Sequence, residues 1–197
     1  MQIKKIVNSF FTSNTYILLD IVENNCWLID VGDVQPILDN LPETAVIKGI
    51  FLTHTHYDHI YGINKIVELY PDCVVYTSEH GEKGLFSDKL NFSRYHNDSI
   101  IFSGSHIHIL YEGDVVTLSS KEKLNVIETP GHDWSCLTYY MKNVIFTGDS
   151  YIPDVNIVTA FPRSNKIDAE VSKQKISYFA QGKNIYPGHG DFAKNFK

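Results

Sequence analysis

Short runs in which apolar and polar residues alternate dominate the first fifty positions, and a period of two marks strands rather than helices. Residues 2–7, 14–22 and 24–31 predict three strands, the second and third joined through Glu23, Asn24 and Asn25 as a hairpin. A short helix over 33–41 follows and Pro42 ends it. The run 46–53, rich in Val, Ile, Phe and Leu, predicts a buried strand. Beyond it Ile60, Ile63, Ile66, Val67 and Tyr70 fall at helical spacing, with Asp58 suited to the helix start. The chain therefore passes from strand to helix through a loop at the carboxyl edge of a sheet.

After the turn at Pro71 and Asp72 the pattern predicts a strand at 73–77. Further strands fall at 106–110, 115–118, 124–128, 136–141 and 144–147, then a helix over 168–180 and a last strand at 184–186. Between them, residues 78–104 break every long period with Gly81, Gly84, Asn91, Ser93, Asn97 and Ser99, although Ser78 suits the cap of a short helix. No repeat, linker or low-complexity segment divides the chain, so residues 1–197 predict one domain. Each half runs strands first and a helix after them. That rhythm suits two sheets packed face to face with helices outside.

Composition narrows the function classes. With 43% hydrophobic and 20% charged residues, the chain has the balance of a globular protein with a full core, not of a disordered one. A net charge of -6 without a basic run argues against a nucleic-acid partner, since that affinity comes from clustered Lys and Arg. Cys26, Cys73 and Cys136 form no C-x-x-C pair, which predicts buried thiols rather than a disulfide framework or a zinc ribbon. Asn8, Ser9, Thr12, Ser13 and Asn14 interrupt the apolar residues after Lys4 and Lys5, so no signal-peptide core forms, and no stretch is apolar enough to span a bilayer. The expectation is a cytoplasmic protein with a small-molecule substrate and no membrane partner. Composition carries no information on oligomeric state.

The predicted strand-to-helix loop holds the chemistry: His54, His56 and His59 with Asp58 occupy six consecutive positions. His54 and His56 alternate on extended chain and can aim at one point, while Asp58 and His59 leave the first helical turn in another direction. Two metal ions are the natural reading. Three further candidate ligands, His132, Asp149 and His189, each follow an apolar strand and a glycine. The set contains no thiolate, which suits zinc first, with iron or manganese as alternatives, in catalytic use.

Other residues are weighed beside these. Asp30 either orients a ligand histidine or accepts backbone N–H groups before the helix at Asp33, and the first is favoured. Tyr57 and Trp134 flank ligands and are candidate pocket walls, packing being the plain alternative. Arg163 is a candidate partner for a substrate carboxylate, against a surface salt bridge. His106 and His108 read as a solvated sheet face, and His80 and His96 as surface histidines. Residues 79–104 are expected to cover the metal site as a mobile, partly apolar wall, the alternative being a surface excursion.

The run Thr53-His54-Thr55-His56-Tyr57-Asp58-His59 with the distant His132, Asp149 and His189 resembles the metallo-β-lactamase-fold hydrolases, whose pattern is T-H-x-H-x-D-H followed by His, Asp and His. Asp30 in Leu28-Ile29-Asp30-Val31-Gly32 resembles their first motif. The resemblance implies an α+β fold, an αββα sandwich of two packed mixed sheets with outer helices. It assigns His54, His56 and His132 to one metal, Asp58, His59 and His189 to the other, and Asp149 as the bridge. Asp149 with His189, the spacing of Leu85, Asp88, Asn91, Phe92 and Ser93, and Phe161-Pro162-Arg163 resemble the glyoxalase II-like branch, whereas Asp133-Trp134-Ser135 departs from its T-P-G-S. The implied activity is hydrolysis of an ester-like carbonyl by a metal-bridging hydroxide that Asp58 orients, first of a hydroxyacylglutathione-type thioester. The alternatives are a lactone or β-lactam hydrolase and a mononuclear iron persulfide dioxygenase.

Overall fold

Strand alternation sorts the apolar residues of this chain between separate cores. In the computed structural model, which describes residues 1–194, β1 (Gln2–Val7), β2 (Asn14–Asp20) and β3 (Asn25–Ile29) form an antiparallel meander. The strands β4 (Val46–Phe51), β5 (Val74–Thr77) and β6 (Ile107–Ile109) extend it in parallel. Successive side chains point to opposite faces. Ile17, Leu19, Cys26, Leu28, Ile50 and Leu52 accordingly face one way, toward Ile37 of α1 (Val34–Asp39), Ile60 of α2 (Tyr57–Ile60), Ile63 and Ile66 of α3 (Ile63–Leu69), and Leu85 of α4 (Glu79–Leu85).

Their neighbours Tyr16, Leu18, Trp27, Ile29 and Phe51 face the other way, into a core shared with the second sheet. That sheet runs in the order β11 (Asn184–Pro187), β10 (Val144–Gly148), β9 (Leu137–Tyr140), β8 (Lys123–Glu128), β7 (Val115–Thr117), with β11 parallel to β10 and the rest antiparallel. It contributes Leu124, Val126, Leu137, Tyr139 and Phe146 to the shared core. Its outer residues Ile127, Ile145 and Ile185 pack on Ile176 and Ala180 of α5 (Lys166–Ala180). The result is the expected αββα sandwich of two mixed sheets. No helix among the described residues is long and apolar enough to cross a membrane, and all three cysteines are buried and unpaired.

Three elements differ from the sequence expectation. The helix expected from Asp58 to Tyr70 is two helices, because Gly62 N donates to Val31 O at 3.2 Å and a Cβ there would strike the Gly32 carbonyl. This contact docks α2, which carries Asp58 and His59, against the turn after β3. Residues 78–104 are structured and pinned. Ser78 Oγ accepts from Gly81 N at 3.1 Å and caps α4, and a 3-10 turn spans Ser93–Tyr95. Finally, α5 starts at Lys166 because Asn165 Oδ1 accepts from Ile167 N at 2.8 Å and Asp168 N at 3.2 Å.

Candidate metal centre

Four strand ends deliver the polar residues to one edge of the sandwich. His54 and His56 follow β4, Asp58 and His59 lie in α2, and His132, Asp149 and His189 follow β8, β10 and β11. The seven side chains meet in three overlapping groups: His54, His56 and His132; His54, His59 and Asp149; and Asp58, His59 and His189, each with ligand atoms within 4.8 Å of one another. One carboxylate spans the groups. Asp149 Oδ2 lies 3.5 Å from both His132 Nε2 and His189 Nε2, and its Oδ1 3.5 Å from His59 Nε2. Close approach of backbone makes this possible: a Cβ at Gly188 would strike Asp149 Oδ1.

The hydrogen bonds around the rim decide which nitrogen each ring presents. Asp30 is buried at the end of β3 with its backbone at φ 56°, and its Oδ1 accepts from Thr53 N at 2.7 Å. Its Oδ2 accepts from the Thr53 hydroxyl at 2.6 Å and from His59 Nδ1 at 2.9 Å. Thr53 Oγ1, having given its proton to Asp30, accepts from His54 Nδ1 at 3.1 Å. One carboxylate thereby fixes the tautomers of two histidines, turning Nε2 of both toward the centre. Val158 O and Phe11 O do the same for His132 and His189, at 2.9 and 3.1 Å. His56 is reversed: its Nδ1 faces His132 Nε2 at 3.0 Å, and its Nε2 lies 3.4 Å from Asp133 Oδ2.

Electrostatics give the centre an appetite for positive charge. Burial holds His54 well below the ordinary histidine range and lowers His132, leaving neutral rings with free lone pairs. Burial also opposes charge on His59 and His189. The carboxylates outweigh it: Asp58, Asp149 and Asp30 raise His59 to about 9, and Asp149 and Asp58 raise His189 to about 10. Burial raises Asp58 and Asp149, yet the facing histidines leave both below the usual carboxylate range. His54 Nε2 and Asp149 Oδ1 are buried without a hydrogen bond, a state that costs free energy unless a ligand completes it. Nitrogen and oxygen donors, two orphaned ligand atoms and a field that favours cations together fit divalent metal ions.

A cavity of about 600 Å³ opens over the cluster, lined by Phe11, Tyr57, Phe92, His96 and Phe161 among others. Tyr57 is in this wall as expected, stacked on His96 with ring centroids 4.5 Å apart. Two other expected substrate contacts are placed elsewhere. Trp134 is half-exposed in a second groove of about 500 Å³, whose lining includes His80 and Tyr111 and shares no residue with the metal cavity. It points away because its neighbours Asp133 and Ser135 are the residues turned inward, both fully buried. Arg163 is buried, pairing with Asp133 Oδ2 at 2.8 Å and donating to Leu90 O at 2.7 Å. Its charge is consumed behind the wall, and it is neither a substrate partner nor a surface salt bridge.

Sequence reasoning gave no role to Asp133, Phe11 or Phe161 in the site, and it placed His96 on the surface, whereas Phe92 belongs to the segment expected as the apolar wall and does line the cavity. Only Asp133 left a signal, as a charged residue directly after a candidate ligand histidine. His106 and His108 are exposed, as a solvated sheet face requires.

The chain is 28% identical over 197 residues to a probable metallo-hydrolase of Streptococcus pyogenes serotype M6, covering 96% of this chain and 84% of the relative. It is 32% identical over 135 residues to a hydroxyacylglutathione hydrolase of Pectobacterium carotovorum, covering 68% of this chain and 45% of the relative. The chain thus spans about half the length of that relative. Among solved structures, the BLEG-1 B3 metallo-beta-lactamase superposes with a TM-score of 0.87 at 24% identity, covering 98% of this chain and 93% of that one. Residues 10–189 match the metallo-beta-lactamase superfamily, a span that contains every residue of the cluster, and the chain belongs to that superfamily.

Proposed function

We propose that this protein is a hydrolase of ester-like carbonyl compounds that works with two divalent metal ions, zinc first, held by His54, His56 and His132 on one side and Asp58, His59 and His189 on the other. Asp149 is the observation that carries the reading, because its two oxygens reach the histidines of both groups. When bound, such a pair of ions supplies a hydroxide near neutral pH and polarises the substrate carbonyl. The chain's own residues do the rest. Asp58 Oδ2 lies 3.2 Å from His189 Nε2, and the carboxylate is held ionised, so it can accept a proton from the attacking water and orient it. Asp30 and Thr53 keep His54 and His59 in the tautomers that ligation needs. The aromatic wall excludes bulk water from one side of the reacting carbonyl.

A thioester of the hydroxyacylglutathione type is the first candidate substrate. The relative of that name supports it, and a thiolate leaves without a proton donor because it is a weak base, its conjugate thiol having a pKa of about 8.5. The test is turnover of an acyl-glutathione thioester, a lactone and a β-lactam by protein reconstituted with zinc, iron or manganese. Hydrolysis that chelator removes and metal restores is expected, with the thioester fastest. Absence of chelator-sensitive hydrolysis across the panel with every metal would refute the reading.

A further inference from the structure

Phe92 has a left-handed backbone, which a bulky aromatic residue rarely adopts. Six non-glycine residues among those described have positive φ: Phe11, Thr12, Asn24, Asp30, Phe92 and Asp154. Three are Asn or Asp, whose short polar side chains tolerate the conformation. Two are phenylalanines, and both line the metal cavity. Phe11 has a reason in the metal centre itself, since its carbonyl accepts from His189 Nδ1 at 3.1 Å. Phe92 has a different kind of reason: its carbonyl accepts from Tyr95 N at 3.1 Å, a bond internal to its own turn.

The residues on either side of Phe92 hold it in place. Asn91 is fully buried, its amide donating to Gly84 O at 3.0 Å and Ile100 O at 2.9 Å while its Oδ1 accepts from Ser93 N at 2.9 Å. Ser93 Oγ accepts from Ile100 N at 2.8 Å. This frame fixes the backbone and aims the ring at the site: Phe92 lies 4.9 Å from the His56 ring and 5.4 Å from Phe161, which is itself 5.2 Å from His56. Glycine or asparagine would fill the same backbone position with less strain. Strain of this kind persists where the surroundings over-determine it, and it clusters at functional sites.

We infer that Phe92 is a specificity-determining residue which, packed against Phe161, forms a fixed aromatic platform beside His56 and selects substrates carrying a flat apolar group, an aryl ring above all, next to the scissile carbonyl. The inference rests on the hydrolase reading for the carbonyl and on the cavity geometry for the ring. Rings with centroids about 4.5–7 Å apart gain edge and offset contacts beyond their buried area, and a platform already in place spends no ordering entropy on binding. A saturated chain of equal apolar area gains burial alone. The expected preference for aryl over alkyl is roughly 2- to 10-fold.

The experiment compares a phenylacetyl with a hexanoyl thioester of one thiol on the metal-loaded protein, and measures calorimetric binding of the matching non-hydrolysable thioethers, which requires no turnover. Wild type should favour the aryl member in both, and Phe92→Ala and Phe92→Leu should bring the ratio near one. Phe92→Gly should melt above Phe92→Ala by about 2–4 °C, the reverse of the usual order, because glycine, unlike alanine, relieves the left-handed backbone. Equal binding of the two thioethers by wild type overturns the inference, as does a ratio unchanged in Phe92→Ala. A binding preference without hydrolysis of either thioester leaves the aromatic platform standing and counts against the hydrolase reading instead.

Discussion

Arg163 and Asp133 form a 2.8 Å ion pair beneath the wall of the metal cavity, with Asp133 fully buried and Arg163 nearly so. Burial alone would raise Asp133, but His56, Ser135 and Arg163 hold it well below the ordinary range. The pair ties three parts together, since Asp133 also faces His56 Nε2 at 3.4 Å and Arg163 also holds Leu90 O, two residues before Phe92. Arg163→Ala would leave a carboxylate buried and unpaired, so a loss of about 3–5 kcal/mol in denaturant unfolding is expected. Asp133→Asn should weaken metal binding at the His56 side by roughly 10- to 100-fold, read by chelator competition. Wild-type stability and affinity in both variants would show the pair to be incidental.

Asp30 serves both histidine groups, and Asp30→Asn tests that. An amide can accept at its oxygen but not at its nitrogen, whereas Asp30 accepts from Thr53 N, the Thr53 hydroxyl and His59 Nδ1. The variant should lose metal affinity by about 10- to 100-fold. Because His54 is fixed through Thr53, both ions should be affected in a two-step titration. Loss confined to one step would contradict the shared-carboxylate account.

These relationships show what could be read in the chain and what could not. The cluster of candidate ligands and the layer order were legible because each depends on local spacing: His54 to His59 in one loop, and the alternation of Tyr16, Ile17, Leu18 and Leu19 between two cores. The break at Gly62 was not, because it comes from a carbonyl thirty residues away in sequence, that of Gly32. The roles of Arg163 and Trp134 were misjudged for a related reason. Adjacency to Asp133 in sequence put Trp134 on the opposite side of the loop, and the partner of Arg163 lies thirty residues upstream. The segment expected to be a mobile wall does border the cavity through Phe92, Tyr95 and His96, but Asn91 and Ser93 pin it.

Gly188 has a steric duty. A Cβ there would collide with Asp149 Oδ1 and would lie 2.9 Å from the Gly148 carbonyl carbon and 3.0 Å from His59 Cε1. Gly188→Ala should cost about 1–3 kcal/mol as overpacking and displace Asp149 from its position between the histidine groups. The measurement is metal content after gel filtration alongside a melting curve. Full metal retention with an unchanged melt would contradict the packing argument.

Metal binding should release protons. In the metal-free protein at pH 7, His59 and His189 carry protons because their carboxylate neighbours raise them to about 9 and about 10, while His54 and His132 are lowered and neutral. Metal and proton compete for the same nitrogens, so affinity should fall as pH falls. Calorimetric titrations at pH 7 in two buffers of different ionisation enthalpy should report about two to three protons released per fully loaded chain, two from these histidines and up to one from the water that becomes hydroxide. Proton uptake, or affinity that rises on acidification, would contradict the assigned electrostatics.

The proposed function stands on seven side chains holding two metal ions around Asp149. Elemental analysis of the purified protein after reconstitution and removal of free metal addresses it most directly, with Asp149→Ala measured beside it. Two divalent transition metal ions per chain are expected in wild type, with a clear loss in the variant. Fewer than one ion per chain in wild type, or full occupancy retained in Asp149→Ala, would contradict it.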